Sequence, residues 1–224
     1  MSIAIRNLFP AAGLLGLTLL SFDGAFAAEP LDYAQMPKSV EKYSEFSGQD
    51  LYHRGLYPEA MEVWRRAYEE NNDTGALYTL ATIYLDGNVV EKDIPKGLRL
   101  LKKSALHGEA RAQFELGTIY DDCECVKRNA ELAVLWYALA STQNDPGAEF
   151  SLAIHYEEGD GVEADEVLAF AYYHLAVSHG LPDNLLPVVE EFKIGLTESQ
   201  KDAGRRKAEG IQATRVSSAV PGRW

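Results

Sequence analysis

Two cysteines carry the strongest chemical signal in this 224-residue chain, Cys123 and Cys125, which form a C-x-C motif. In an exported protein such a pair favours a disulfide. The bond would close a very small ring, and strained disulfides of this kind are easily reduced, so a redox-active centre is one alternative. Free thiols or intermolecular pairing are others. Because no general base and no thioredoxin-like βαβ pattern surrounds the motif, a structural or incidental disulfide is the main interpretation.

The remaining ionisable residues form no set that predicts catalysis or metal binding. The acidic run 121–125 has no histidine at ligand spacing, and C-x-C alone cannot close a tetrahedral metal shell. His155 stands in a column filled by isoleucine at positions 83 and 119, where a half-buried structural histidine is the commoner occupant. His174 and His179 are five residues apart and do not share a helical face. We therefore expect no catalytic residue, no metal and no cofactor.

A 36-residue period organises the elements that must position these residues. Alanine, leucine and tyrosine each recur three times at this spacing, at Ala76, Ala112 and Ala148, at Leu80, Leu116 and Leu152, and at Tyr84, Tyr120 and Tyr156. A fixed period of this length is the signature of a helical solenoid, in which each repeat buries its apolar face against its neighbours. Such arrays usually bind other macromolecules, and few of them catalyse reactions.

Each repeat is predicted to contain a helix A, a turn and a helix B. Glycine in the left-handed conformation should end helix A, at Gly87 and Gly159. Side chains that suit an N-cap precede helix B, at Asp93, Asn129 and Asp165. Helix B should end at Gly108, Asn144 and Gly180, and Asp145-Pro146 should begin the next helix A.

The segments outside the repeats have their own expected roles. Residues 1–27 resemble a secretory signal peptide, with an apolar run and the cleavage pattern Ala25-Phe26-Ala27. The run is too short and too interrupted for a membrane anchor, so we expect no integral span after cleavage. An extended segment should cover 28–39 and a shorter helix–turn–helix unit 40–72. Beyond the repeats we expect capping helices at 183–212, with a capping box at Thr197, and a mobile tail at 213–224.

The charge of the chain restricts its partners. The formal net charge is −13, and no basic stripe is present. Such a chain is poorly suited to nucleic acid or anionic lipid, so we expect neither as a partner. Basic or apolar protein segments are the more plausible partners.

The repeated motif resembles the Sel1-like repeat family, a relative of the tetratricopeptide repeats. The pattern A-x-[FY]-x-L-[GA]-x-x-Y, followed by a glycine-rich turn and an N-cap, covers the three repeats at 73–182. The unit at 40–72 resembles a tetratricopeptide repeat through Gly55, Tyr57, Ala60, Trp64 and Ala67. The resemblance implies an all-α, right-handed superhelical solenoid of helix–turn–helix repeats, with helix A on the concave side. Family members are usually adaptors and share no catalytic residues.

By analogy with related helical repeats, helix A should present a concave partner-binding surface. We expect an aromatic strip, the positions one turn further on, and an acidic border, namely Tyr78, Phe114 and Phe150, then Thr82, Thr118 and Ile154, then Asp86, Asp121, Asp122, Glu157 and Glu158. This surface would suit a segment with apolar and basic residues. In the alternative interpretation the aromatic residues pack into the core, and the acidic residues are a solvated face.

The sequence therefore predicts an exported adaptor, scaffold or regulator without enzymatic activity. The periplasm is the expected compartment, with secretion as the alternative, and a membrane signalling or envelope protein is a candidate partner. The enzymatic alternatives are thiol redox chemistry at the C-x-C motif, or the weak β-lactam binding or hydrolysis linked to some cysteine-rich relatives. Those relatives carry regular cysteine pairs, whereas this chain has one C-x-C and no S-x-x-K nucleophile set.

Overall fold

The structure is a computed structural model that describes residues 46–219, with side-chain surroundings up to residue 215. This part of the chain is helical and contains no strand. The helices are α1 (Gly48–His53), α2 (Tyr57–Asn71), α3 (Thr74–Asp86), α4 (Ile94–Leu106), α5 (Ala110–Asp122), α6 (Ala130–Ser141), α7 (Pro146–Glu158), α8 (Glu166–Ser178), α9 (Leu186–Ile194) and α10 (Glu198–Ala219). The predicted all-α solenoid of paired helices is confirmed. Within the described residues, 46–112 belong to a first compact unit and 113–219 to a second.

The predicted caps before helix B are all present. The side chains of Asp93, Asn129 and Asp165 accept backbone N–H groups three residues further on, at 2.9, 3.0 and 2.9 Å. Asp145 caps α7 in the same way at 2.8 Å, with Pro146 in the first turn. Each bond satisfies one of the N–H groups that a helix start leaves without a partner, and is worth about 1 kcal/mol.

The predicted helix ends are also confirmed. Gly87 and Gly159 follow α3 and α7 in the left-handed conformation, with φ of 72° and 73°. Asn144 has the same sign of φ, 63°, and stands where the other two repeats have glycine. N-cap side chains and left-handed Gly or Asn residues, repeated at a fixed spacing, therefore determine where the helices of the repeats begin and end.

Gly161 gives a test of how tightly the turn after α7 packs. Its φ is +73°, and an added Cβ would lie 2.5 Å from the backbone carbonyl carbon of Ala130 at the start of α6. Gly161→Ala is expected to lower the free energy of unfolding by about 2–4 kcal/mol, because backbone strain and a backbone clash add together. Gly180→Ala is the matched control, since its φ is +95° but its added Cβ meets open space. Urea denaturation followed by circular dichroism measures both, and equal losses would contradict the predicted clash.

The first described helix is short. It begins at Gly48, because Ser47 forms a capping box with Asp50. The absence of a side chain at Gly48 lets the indole of Trp64 on α2 approach closely, since an added Cβ would lie 2.5 Å from its Nε1 atom. The predicted signal peptide at 1–27 and the extended segment at 28–39 lie outside the described residues. None of the helices within 46–219 has the length and apolar character needed to cross a bilayer.

The C-terminal helices differ from the prediction at one point. The capping box at Thr197 is present, with Gln200 as its partner. The prediction of a mobile tail from residue 213 is wrong for 213–219, because α10 continues as a helix to Ala219. Arg215 on this extension donates to the buried Glu149 of α7 at 2.5 Å. This long-range ion pair holds a stretch that has few apolar residues of its own. Residues 220–224 lie outside the described part of the chain.

Candidate functional site

Two phenylalanines of the predicted strip are half-buried on the second unit. Phe114 on α5 lies 5.7 Å, between ring centroids, from Tyr137 of α6. Phe150 on α7 lies 5.5 Å from Tyr173 of α8. Both phenylalanines pack at the edge of the hydrophobic core and keep part of their surface exposed. The core alternative therefore accounts for part of each ring, and the Phe114 ring also lies close to Gly147 of α7, where an added Cβ would be 3.1 Å from Cζ.

Two buried tyrosines that contact this strip were not predicted from the sequence. Tyr137 and Tyr173 are 2% and 0% exposed and occupy equivalent positions of successive B helices. The Tyr137 hydroxyl donates to the Thr118 hydroxyl at 3.5 Å, and the Tyr173 hydroxyl donates to the Glu157 carboxylate at 2.8 Å. The 36-residue spacing of these tyrosines was a signal that could have identified them. They hold the A-helix residues of the candidate surface in fixed positions.

Burial sets the ionisation of these hydroxyls. Removal from water raises the pKa of Tyr137, and it also raises that of Tyr173, where the hydrogen bond to Glu157 adds to the effect. Both groups therefore remain protonated donors at neutral pH. The rings of Phe114 and Phe150 therefore pack against buried tyrosines that carry no charge.

The residues of the predicted acidic border differ in their exposure and in their ion pairs. Asp122 and Glu158 are exposed at the last positions of α5 and α7. Glu157 is also exposed, although it accepts the Tyr173 bond. Asp121 differs, because it forms an ion pair with Arg128 at 3.0 Å. Thr118 is exposed, and Ile154 packs against the edge of the core.

The first unit presents a different version of the surface. Tyr78 on α3 is half-buried, and the guanidinium of Arg111 lies 4.8 Å from its ring centroid, a cation–π contact. Thr82 donates to the backbone carbonyl of Thr79, and Asp86 is exposed. Thr82 and Asp86 line a pocket of about 110 Å³ together with Trp64 and six other residues. The aromatic residue of this repeat is thus partly covered by a cation of the chain itself.

The cysteines lie in the loop after α5 and are joined by a disulfide between Cys123 and Cys125. The loop returns to α5 through Arg128, whose Nε donates to the backbone carbonyl of Asp121 at 2.8 Å. Asn129 then caps α6. The loop is thereby fixed at both of its ends.

Three of the five histidines lie in the last repeat, in three separate environments. His155 is buried, at 3% exposure, rather than half-buried as expected, and it faces Asp121 and Asp160. His174 is exposed on α8 and stacks on Phe170. His179 lies 2.8 Å from the Glu149 carboxylate. The cluster around His155 was not predicted, because Asp121 is 34 positions away from His155 in the sequence.

Comparison with known proteins identifies the repeats. Residues 74–109, 110–145 and 146–181 each match the family model of the Sel1 repeat. A Sel1 repeat protein from Oxalobacter formigenes is similar at 29% identity, with a TM-score of 0.52, over 56% of this chain and 94% of that one. No curated protein gives a significant match.

A longer protein is also similar. The protein c5321, a protective antigen present in uropathogenic Escherichia coli strains and displaying an SLR fold, is 31% identical, with a TM-score of 0.54. The match covers 62% of this chain but only 32% of that protein, so this chain corresponds to about a third of its length. Proteins built from Sel1 repeats are generally protein–protein interaction modules. This chain, with three such repeats, is a Sel1-like repeat protein.

Proposed function

We propose that the chain is an exported, non-enzymatic adaptor whose second unit binds a polypeptide segment with apolar and basic residues. The observation that carries this proposal is the pairing of half-exposed rings with exposed carboxylates on successive A helices. Phe114 and Asp122 are on α5, and Phe150 and Glu158 are on α7. Aromatic anchors bordered by charge are the features from which peptide-binding surfaces usually gain affinity and selectivity.

The anchors are preorganised, and this supports binding. Each ring contacts a buried tyrosine, so little side-chain freedom remains to be lost when a partner binds. The partner that we propose is an envelope or membrane signalling protein, and the periplasm is the proposed compartment. The motif at residues 25–27 and the apolar run before it support export.

The test is crosslinking capture from an envelope fraction with the mature chain as bait. The double substitution Asp122→Lys and Glu158→Lys should reduce capture of a specific partner by about tenfold at low salt, equivalent to about 1.4 kcal/mol. The effect should shrink as salt screens the charges. Both positions end helices, where lysine suits the helix dipole, so helicity should be unchanged.

A second double substitution provides the control. Glu191→Lys and Glu209→Lys change the net charge by the same amount, at exposed positions on α9 and α10. Capture by this control should equal that of the native chain. Equal losses in both variants would mean that only overall charge matters, and undiminished capture by the Asp122 and Glu158 variant at low salt would exclude the proposed surface.

A further inference from the structure

We propose that Asp121, His155 and Asp160 form a binding site for a divalent transition-metal ion, with Zn²⁺ as the best-matched ion. Asp121 is near the end of α5, His155 is in the last turn of α7, and Asp160 is in the turn that follows. One ligand atom from each residue lies within 4.8 Å of the other two. The three residues come from two successive repeats, and metal binding would not depend on a partner, although Asp121 is also a residue of the acidic border.

A backbone hydrogen bond holds the His155 ring in one orientation. Its Nδ1 atom lies 2.9 Å from the backbone carbonyl oxygen of Asp160. A carbonyl oxygen only accepts, so Nδ1 must carry a proton and donate it. In the neutral ring, the lone pair is therefore on Nε2. Histidines that bind metals commonly have this arrangement, in which the other ring nitrogen donates to a carbonyl and fixes the tautomer.

The ligand atoms of His155 and Asp121 are separated by a distance that suits a shared ion. Nε2 of His155 lies 3.3 Å from Oδ2 of Asp121. Two ligands bound to one tetrahedral Zn²⁺ at their usual bond lengths stand about 3.3–3.5 Å apart. A neutral ring without an ion between these atoms would place two electron-pair acceptors opposite each other. A cation between them gives both atoms a partner.

The charge balance of the cluster also favours a bound cation. Two carboxylates face the single positive charge of Arg128, whose guanidinium bonds Asp121 at 3.0 Å and also Asp160. A divalent ion would neutralise both carboxylates. Arg128 is 55% exposed and can turn outwards, so it is the group that an incoming ion has to displace. Imidazole nitrogen with carboxylate oxygen favours Zn²⁺ and its neighbours over Mg²⁺ or Ca²⁺.

The surroundings hold the cluster in place. His155 is 3% exposed, and its ring lies 5.7 Å from that of Tyr137. Gly161 packs against the backbone of Ala130 and so fixes the position of the adjacent Asp160. The Asp160 carboxylate is 3.7 Å from Nδ1, on the side of the ring away from the lone pair. It must therefore rotate towards Nε2 to complete the site.

The test is calorimetric titration of the untagged mature chain with Zn²⁺ at pH 7.5, after treatment with a chelator. We expect one bound ion and a thermal midpoint that rises with Zn²⁺ but not with Mg²⁺. Asp121→Asn and Asp160→Asn should each weaken binding at least tenfold while circular dichroism shows an intact fold. Arg128→Gln should bind several-fold more tightly, because the competing cation is removed. His174→Gln, which changes an exposed histidine on α8, should bind as the native chain does.

Nitrogen NMR locates the ion independently of affinity. Zn²⁺ should shift the Nε2 resonance of His155 and leave its Nδ1 proton in place. A proton on both nitrogens throughout the titration would show an imidazolium paired with Asp121, and would overturn the proposal. Binding that is unaffected by Asp121→Asn and Asp160→Asn, or weakened by Arg128→Gln, would overturn it equally.

Discussion

Glu149→Ala is expected to lower the free energy of unfolding by about 3–5 kcal/mol, because it removes the anion from a buried ion cluster. The Glu149 carboxylate is 0% exposed and accepts from His179 at 2.8 Å and from Arg215 at 2.5 Å. The Arg215 side chain is itself only 9% exposed and also donates to Asn144. After the substitution this guanidinium would remain enclosed without its carboxylate. Urea denaturation, followed by circular dichroism, measures the loss.

Two further variants separate charge from packing. Glu149→Met combined with Arg215→Met removes both charges, and should cost less than Glu149→Ala alone, since no ion is left uncompensated. Glu191→Ala, at an exposed position on α9, should change stability by no more than about 0.5 kcal/mol. A loss below about 1 kcal/mol for Glu149→Ala would show that the cluster does not hold α10 to α7.

Alkaline pH is expected to unfold the second unit through its buried tyrosines. Burial raises the pKa of Tyr137, Tyr172 and Tyr173, which are 2%, 6% and 0% exposed. In the unfolded chain a tyrosine ionises near pH 10. The folded state therefore binds more protons above that pH, and its stability is complete below pH 10 and falls as the pH rises further.

The expected effect is large because the groups add. Each tyrosine that stays protonated in the folded state costs about 1.4 kcal/mol of stability per pH unit above 10, so three cost about 4 kcal/mol per unit. A domain with typical stability of about 5–15 kcal/mol should then unfold within a few pH units. Near-ultraviolet absorbance of phenolate and circular dichroism should change together. Ionisation of every tyrosine near pH 10 with helicity intact would contradict the prediction.

Tyr172→Phe is the matched variant for this titration. Tyr172 stacks on Tyr156 at an interplanar angle of 6°, a contact that phenylalanine preserves. The variant should lose stability less steeply with pH, by about 1.4 kcal/mol per unit, because one ionising group is absent. The same slope as in the native chain would show that Tyr172 does not take part.

The sequence predicts most of the local structure, because caps and helix ends depend on residues only a few positions apart. Asp93, Asn129 and Asp165 cap their helices as predicted, and Asn144 adopts the left-handed conformation. The capping box at Ser47, which begins α1, was not recognised in the sequence. Signals of this kind are short-range, and they can be found by inspection.

Contacts between distant residues were not predicted. The segment 213–219 looks like a polar tail in the sequence, yet Arg215 reaches Glu149 from 66 positions away. His155 and Asp121 are separated by 34 residues, and neither neighbourhood alone contains a recognisable ligand motif. For the same reason Tyr137 and Tyr173 were not identified as supports of the phenylalanines. The sequence therefore predicts the outer residues of the candidate surface, but not the buried residues that keep those outer residues in position.

The close fit of α10 on α8 limits how this protein could lengthen by duplication. An added Cβ on Gly204 would lie 2.4 Å from the ring of Phe170, so the two helices approach with no space between them. In the preceding repeat, the corresponding B helix, α6, packs against the A helix of the next unit, α7. The position next to α8 that a following A helix would take is occupied by α10. A newly duplicated unit would therefore have to be inserted before α8, or it would have to displace α10.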